Sequence, residues 1–432
     1  RGQFAAVGHG VRHPAGMTMR SHIVVVGGGA AGFFGAITCA ETYPHSRVTL
    51  LEQGRQFLSK VRVSGGGRCN VTHACFDAAL LTQNYPRGGQ ALRGAFNRFQ
   101  PRDTIDWFAA RGVQLKTEPD GRMFPVSDSS ETIVNCLIGA AKTCGVDMRA
   151  EAGVTSVTRR NGASDSTAGF TVSLKTGEQL HCDRVLLATG SNRRVYTWVE
   201  SCGHTIEPPV PSLFTFAVPD PRLADLAGIS VENVQLRLAG TRLEQTGPIL
   251  ITHWGLSGPV VLKLSAWGAR ILHDRNYQAD LLINWLPGLK PDELNQHMLK
   301  VKSKHPRQLI GSHSPFHLPQ RLWQRLVATA EITEGQRWAD LSKSQLKRLT
   351  EELGRGTYFA QGKGIFKEEF VTCGGVNLGE VNFATMESRR CPGLYFAGEI
   401  LDIDGLTGGF NFQSAWTTGW IAGKAMGREG IT

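Results

Sequence analysis

A glycine triplet at the mouth of a short hydrophobic strand constrains this chain more than any other feature. Ile23 to Val26 is a β-branched run that reads as a buried parallel strand, and Gly27-Gly28-Gly29-Ala30-Ala31-Gly32 follows at once. The spacing Gly27-x-Gly29-x-x-Gly32 opens a helix of small residues. Gly27 permits the tight turn, Gly29 lets backbone approach a pyrophosphate, and Gly32 lets helix and strand pack closely. The helix N-terminus, with the amides of Ala30 and Ala31, offers N–H donors and a partial positive charge to the phosphates. About twenty residues on, the strand-like Val48-Thr-Leu-Leu-Glu52 ends in a carboxylate next to Gln53. Glu52 suits both hydroxyls of an adenosine ribose and disfavours a 2′-phosphate, so this pocket fits FAD or NAD and not NADP. An ordinary glycine-rich turn would need neither Glu52 nor its spacing.

A second fingerprint stands near the other end. Gly393-Leu-Tyr-Phe-Ala reads as a buried strand running into Gly398-Glu399 and on to Asp402. Thr407-Gly-Gly-Phe-Asn-Phe-Gln413 then leads into a helix predicted over Ser414 to Met426. Its N-terminus, freed by Gly408 and Gly409 and flanked by Asn411 and Phe412, can aim amides at a flavin pyrimidine and stabilise negative charge on the reduced ring. Glu399 and Asp402 read as partners of the ribityl or phosphate region. The two fingerprints together predict an α/β chain with a discontinuous Rossmann-like, glutathione-reductase-like FAD-binding domain.

Between them, Ser64-Gly65-Gly66-Gly67-Arg68-Cys69-Asn70 is a flexible cradle whose N–H groups can face an anion or a flat ring. Ile105 to Ala110 reads as a short helix, and Asp128-Ser-Ser-Glu131 as a capping box for a helix over Thr132 to Thr143. Gly153-Val154-Thr-Ser-Val, Phe170 to Leu174 and Cys182 to Ala188 alternate like a small β-meander, with Val154 on the cofactor side. The meander ends in Ala188-Thr189-Gly190, a turn that commonly lies against the dinucleotide. Strands near Phe214, Val231, Pro248 and Asp280 suggest a β-rich insert. Helices near Pro291, Leu318 and Leu341 follow, the last opened by a capping box at Ser342-x-x-Gln345.

The organisation predicted is a leader or tail over 1–20, a first FAD-binding part over 21–204, a β-rich insert over 205–287, a helical insert over 288–365 and a second FAD-binding part over 366–432. With 432 residues, 41% of them hydrophobic, the chain can bury a large core. The apolar stretch 22–40 is too broken by glycine to be a membrane helix, which points to a soluble protein. Nine cysteines without a Cys-x-x-Cys pair or zinc spacing argue for a reducing, cytoplasmic setting and for no metal. They also argue against the disulfide-reductase branch of flavoproteins. No second Gly-x-Gly-x-x-Gly lies between 150 and 365, so a nicotinamide donor would dock without a Rossmann domain of its own.

The net charge of +10 is uneven. Arg55, Lys60, Arg62, Arg68, Arg87, Arg93, Arg98 and Arg102 face a single acid, Asp77, over the same segment. Such a face suits a polyanion, or merely serves solubility.

The glycine fingerprint, Ser64-Gly-Gly-Gly-Arg-Cys-Asn70, Thr252-His-Trp-Gly-Leu-Ser-Gly-Pro259, Gly374-Gly-Val376, Gly393 to Glu399 and Thr407 to Gln413 together resemble the BaiN-like (YhiN-type) family of NAD(P)/FAD-dependent oxidoreductases. The resemblance runs from about Met19 to the C-terminus. It implies non-covalent FAD, a nicotinamide donor and two inserts, with branches tied to dihydrouridine formation in ribosomal RNA, to reduction of a steroid double bond, and to aminoacetone oxidation. Reducing an activated C=C bond needs a carbonyl-polarising donor and a general acid. Cys69 is a candidate acid, its thiol lowered by the neighbouring positive charge, or else a small residue supporting the loop. Arg68 is a candidate for polarising a carbonyl or binding phosphate. His253 is a candidate facing the substrate, or else a structural histidine. The expected activity is reduction of uridine in ribosomal RNA with NAD(P)H, with Phe96, Phe99 and Trp323 as base platforms or core. The alternatives are a small-molecule ene-reductase or amine oxidase, and an RNA-binding protein with a structural FAD.

Overall fold

The computed structural model describes residues 21–160, 169–364 and 371–428; the leader over 1–20 lies outside them. A seven-stranded sheet carries the nucleotide-binding part. Its order is Val381–Asn382, Glu387–Ser388, Leu394–Phe396, Arg184–Leu187, His22–Val26, Arg47–Leu51, Asp147–Arg149. The last five run parallel, with Val24 between Thr49 and Val185. Ile23, Val24 and Val25 are fully buried, as a central strand covered on both faces requires. This is the Rossmann-like α/β architecture that the glycine fingerprint predicts.

The helix Ala30–Thr42 lies across the helix Phe410–Met426, which starts four residues earlier than the sequence suggested because Gly409, with φ of 91°, already turns the chain. Small residues make this crossing close. A Cβ on Gly419 would stand 2.6 Å from the Ala31 carbonyl oxygen, and one on Gly423 2.7 Å from that of Gly35. Phe34 fills the groove beside it, packed on Phe99, Trp107 and Trp416.

The run from Cys182 to Ala188 does not form one meander strand. Gln179–Cys182 closes a three-stranded antiparallel sheet with Val154–Arg160 and Gly169–Leu174, whereas Arg184–Leu187 enters the main sheet beside Ile23–Val26. Asp183 marks the break, its carboxylate accepting the His22 N–H at 2.7 Å. The capping box expected at Asp128 does not form either. The helix spans Ser130–Thr143, and Glu131 pairs instead with Arg62. Ser342 and Gln345 do make their reciprocal pair at the head of Lys343–Arg355.

A second, antiparallel seven-stranded sheet begins at Phe216–Ala217 and ends at Gly362–Lys363. The helix Lys343–Arg355 packs on its strands and Pro291–Lys304 and Gln320–Thr329 pack on that helix, so Trp285, Leu294, Met298, Trp323 and Trp338 share one core with Leu236 and Ile283. Trp323 is fully buried and donates its indole N–H to the Ile310 carbonyl at 2.8 Å. Phe96 and Phe99 are buried too. None of the three is a platform for RNA bases; all are core. No described helix is long and apolar enough to cross a membrane.

Candidate functional site

The three fingerprint glycines have the three environments their roles demand. A Cβ on Gly27 would meet the Ala188 carbonyl oxygen at 2.3 Å, and one on Gly32 would meet the Gly27 carbonyl oxygen at 1.9 Å. A Cβ on Gly29 meets nothing within 4 Å. The first and third are thus locked by protein packing, while the second borders open space at the N-terminus of Ala30–Thr42. Ala30 is half-buried there and Ala31 buried.

At the adenosine end, Glu52 accepts the Gly28 N–H and the Gly54 N–H, each at 2.8 Å. These bonds fix the carboxylate at the strand tip. The Ala152 N–H donates to the Glu52 carbonyl at 2.8 Å, which brings half-buried Val154 to the same side; Gln53 is exposed.

The cradle forms as a helix, Ser59–Gly67, that breaks at Ser64, with Gly65, Gly66 and Gly67 all at positive φ. A Cβ at Gly66 or Gly67 would again meet nothing within 4 Å. Asn70 fastens this loop to the distant Thr407–Gln413 segment, its amide donating to the Thr72 carbonyl and accepting the Gly409 N–H, both at 3.0 Å. His73 adds a second fastening, one ring nitrogen 3.0 Å from the Gly408 carbonyl and the ring stacked on Phe410. Because a carbonyl only accepts, that nitrogen carries the proton in the neutral ring, and burial lowers the histidine's pKa. Asn411 closes the Gly405 turn through both amide atoms at 2.8 Å, and Phe412 lies stacked on Trp416.

Lys60, read in the sequence only as one charge of the basic run, joins the site by pairing with Glu399 at 2.5 Å. Gly190, at φ of 64°, sits against both: a Cβ there would lie 3.5 Å from the Glu399 carboxylate. Thr189 precedes it and Gly398 faces Ala31. Tyr196 was missed. It is buried, and its hydroxyl has no partner among the described residues. Burial and then the charges of Glu399 and Asp402 push its phenol up to about 12. No sequence pattern marks either residue, because each meets Glu399 only through the fold.

FAD fits this set of groups: open space at Gly29, Gly66 and Gly67, two helix N-termini, and a carboxylate fixed at the strand tip. Asp402 is differently engaged from what was expected. Its Oδ1 accepts the Gly374 N–H at 2.9 Å and faces Arg270 at 3.3 Å, a junction with the neighbouring sheets.

The catalytic candidates change character. Cys69 is fully buried, and burial raises its thiol to about 12, the opposite of the lowering expected from Arg68. That guanidinium turns away to lie 4.0 Å from the Phe124 ring centroid and to pair with Glu118 at 2.6 Å. Arg68 is thereby a strut of the cradle, with its charge already matched. His253 is exposed in the turn between Glu244–Thr252 and Gly255–Ser257, beside Thr252, whose buried hydroxyl has no partner among the described residues.

Known proteins place this architecture. The chain is 31% identical over 431 residues to the ribosomal RNA dihydrouridine synthase of Escherichia coli (strain K12), covering 94% of this chain and 98% of the relative. It is 28% identical to a 3-dehydro-bile acid delta(4,6)-reductase of Clostridium scindens, over 94% of this chain and 98% of that one. A 3-ketosteroid-Δ4-(5α)-dehydrogenase from Rhodococcus jostii RHA1 shares the fold at a TM-score of 0.50 and 14% identity, covering 96% of this chain and 98% of that one. Residues 21–425 match the family described as HI0933-like protein Rossmann domain, and the chain belongs to this family of FAD-binding oxidoreductases.

Proposed function

We propose that the protein is an NAD(P)H-dependent reductase that converts uridine to dihydrouridine in ribosomal RNA, in the cytoplasm. The observation that carries this reading is the near full-length similarity to a relative named for that reaction. When bound, FAD supplies hydride transfer from a nicotinamide donor to an activated C=C bond. The chain's residues do the rest. Glu52 holds the ribose hydroxyls, with Gln53 and Val154 beside it. The amides of Gly29, Ala30 and Ala31 hold the pyrophosphate, with Lys60 countering the nearby charge of Glu399, while Gly398, whose N–H donates to the Thr418 hydroxyl at 3.0 Å, shapes the turn beside it. The cradle from Ser64 to Asn70 and the Thr189-Gly190 turn support the ring system, and the N-terminus of Phe410–Met426 faces developing negative charge. His253, exposed and without a hydrogen bond among the described residues, is the proton donor of this reading. Of the basic run, Lys60, Arg62, Arg68 and Arg87 are held by carboxylates, and the exposed Arg93, Arg98 and Arg102 supply the phosphate track.

The test is to reduce the holoenzyme anaerobically with NADH or NADPH and then add ribosomal RNA lacking dihydrouridine. Return of the oxidised flavin spectrum, with dihydrouridine in the RNA, is the expected result. If RNA leaves the flavin reduced, the reading fails. The similarity to a bile acid reductase favours a second reading, a small-molecule ene-reductase, in which an enone and not RNA re-oxidises the flavin.

A further inference from the structure

Phe76 lies three residues beyond His73, which is bonded to Gly408 in the candidate site. Extended chain reaches about 3.3–3.6 Å per residue, so the Phe76 backbone is within about 11 Å of that histidine. Phe76 immediately precedes Asp77, which caps the short helix Ala78–Thr82 by accepting the Leu80 N–H at 2.9 Å. An apolar residue in that position ordinarily folds onto the fourth helical residue, here Leu81. Leu81 is fully buried, yet Phe76 keeps 40% of its surface exposed and Leu80 keeps 56%. Over the Phe76 ring stands Arg102, its guanidinium carbon 4.9 Å from the centroid. Arg102 is exposed and makes no ion pair among the described residues.

An exposed aromatic ring under a guanidinium that makes no ion pair among the described residues, in a segment that also leaves Arg93 and Arg98 exposed, is charge-complementary to a nucleic acid strand. Unpaired bases stack on aromatic faces and on arginine planes, and every base has a face to offer. We propose that Phe76 and Arg102 form a stacking platform that holds one unpaired base of an RNA strand beside the flavin site. The proposal rests on the RNA reading above. The platform would hold a neighbour of the reacting uridine splayed from its stack, with Arg102 also meeting the adjoining phosphate.

The experiment measures binding of a labelled single-stranded, uridine-containing ribosomal RNA fragment to the holoenzyme, together with dihydrouridine yield. Phe76→Ala is expected to weaken binding about 5- to 100-fold, the loss of one stacked base. Phe76→Trp should retain affinity, and Phe76→Leu, which keeps apolar bulk but no ring face, should not. Arg102→Gln should reduce the slope of log affinity against log salt by about 1, whereas Phe76→Ala leaves it unchanged. Flavin content and melting temperature should match the parent in all four; should Phe76→Ala fold poorly, Phe76→Leu decides. If Phe76→Ala and Phe76→Leu bind and modify RNA as the parent does, the platform is overturned and the RNA reading stands. If the parent itself neither binds nor modifies RNA, both fall.

Discussion

Arg87 and Asp404, 317 positions apart, form a two-point ion pair in which the carboxylate is wholly buried. The same guanidinium donates to the Ala266 carbonyl at 2.7 Å and to the Ser212 hydroxyl at 3.2 Å, and Ser212 donates to Asp404 at 2.8 Å. One cluster therefore ties the cradle side of the nucleotide domain, its C-terminal segment and the antiparallel-sheet region together. Removing the cation strands a buried carboxylate, so Arg87→Met should cost about 3–5 kcal/mol. Denaturant unfolding of the holoenzyme would measure it; a loss within 1 kcal/mol would mean the cluster is not structural.

The three fingerprint glycines should respond differently to the same substitution. Gly32→Ala drives a methyl into the Gly27 carbonyl and should lower stability with or without cofactor. Gly29→Ala meets no protein atom, so the apoprotein should melt as the parent does while flavin retention on gel filtration is lost. Equal melting losses in both apoproteins would contradict this.

Glu52→Gln keeps an acceptor but removes the charge that grips the ribose. Hydrogen bonds to charged groups contribute about 1.5–3 kcal/mol, so FAD affinity should fall roughly 10- to 100-fold. Titration of apoprotein with FAD by fluorescence quenching would read it directly.

Cys69→Ser should leave turnover within a few-fold of the parent, because a buried thiol raised to about 12 is a poor acid near neutral pH. His253→Gln should lower it about 100-fold or more with flavin reduction by NAD(P)H unchanged. The reverse pattern would return the proton-donor role to the cradle.

Acidification should destabilise the protein through two half-buried histidines. His22 and His73 both have pKa values lowered, chiefly by burial, so the native state favours the neutral ring. Their contribution is fully present above the unfolded value of about 6.5 and is lost as pH falls below it toward the folded values. Melting temperatures should decline over that window, and His73→Asn should flatten the decline.

Local grammar was legible where a residue's role depends on its neighbours in the chain. The Gly27–Gly32 turn and the Ser342–Gln345 box belong to this class, and both formed as read. The reading failed where a distant group competes. Arg62 draws Glu131 away from its cap, and Glu118 draws Arg68 away from the site. Asp183 splits one apolar run between two sheets because His22 needs its carboxylate. Of the two readings of Cys69, the loop-supporting one holds and the low-pKa acid does not, since charge is visible in sequence and depth is not. Tyr196 leaves no sequence signal, and Lys60 and Arg87 were legible only as charges of the basic run, their pairings with Glu399 and Asp404 being contacts across hundreds of positions.

The close crossing of Ala30–Thr42 and Phe410–Met426 sets an order of events during synthesis. The first helix of the nucleotide fold leaves the ribosome early, with Gly35 and Phe34 bare until their partner arrives. That partner begins at Phe410, and chain growth of about 5–20 residues per second leaves the helix Ala30–Thr42 waiting tens of seconds for it. Cofactor capture would therefore wait for it: a nascent chain stalled before Gly409 lacks one helix N-terminus of the proposed flavin site and the face on which Ala30–Thr42 packs. Such a chain should be colourless and prone to aggregation, so flavin absorbance would report that translation had run through Phe410–Met426.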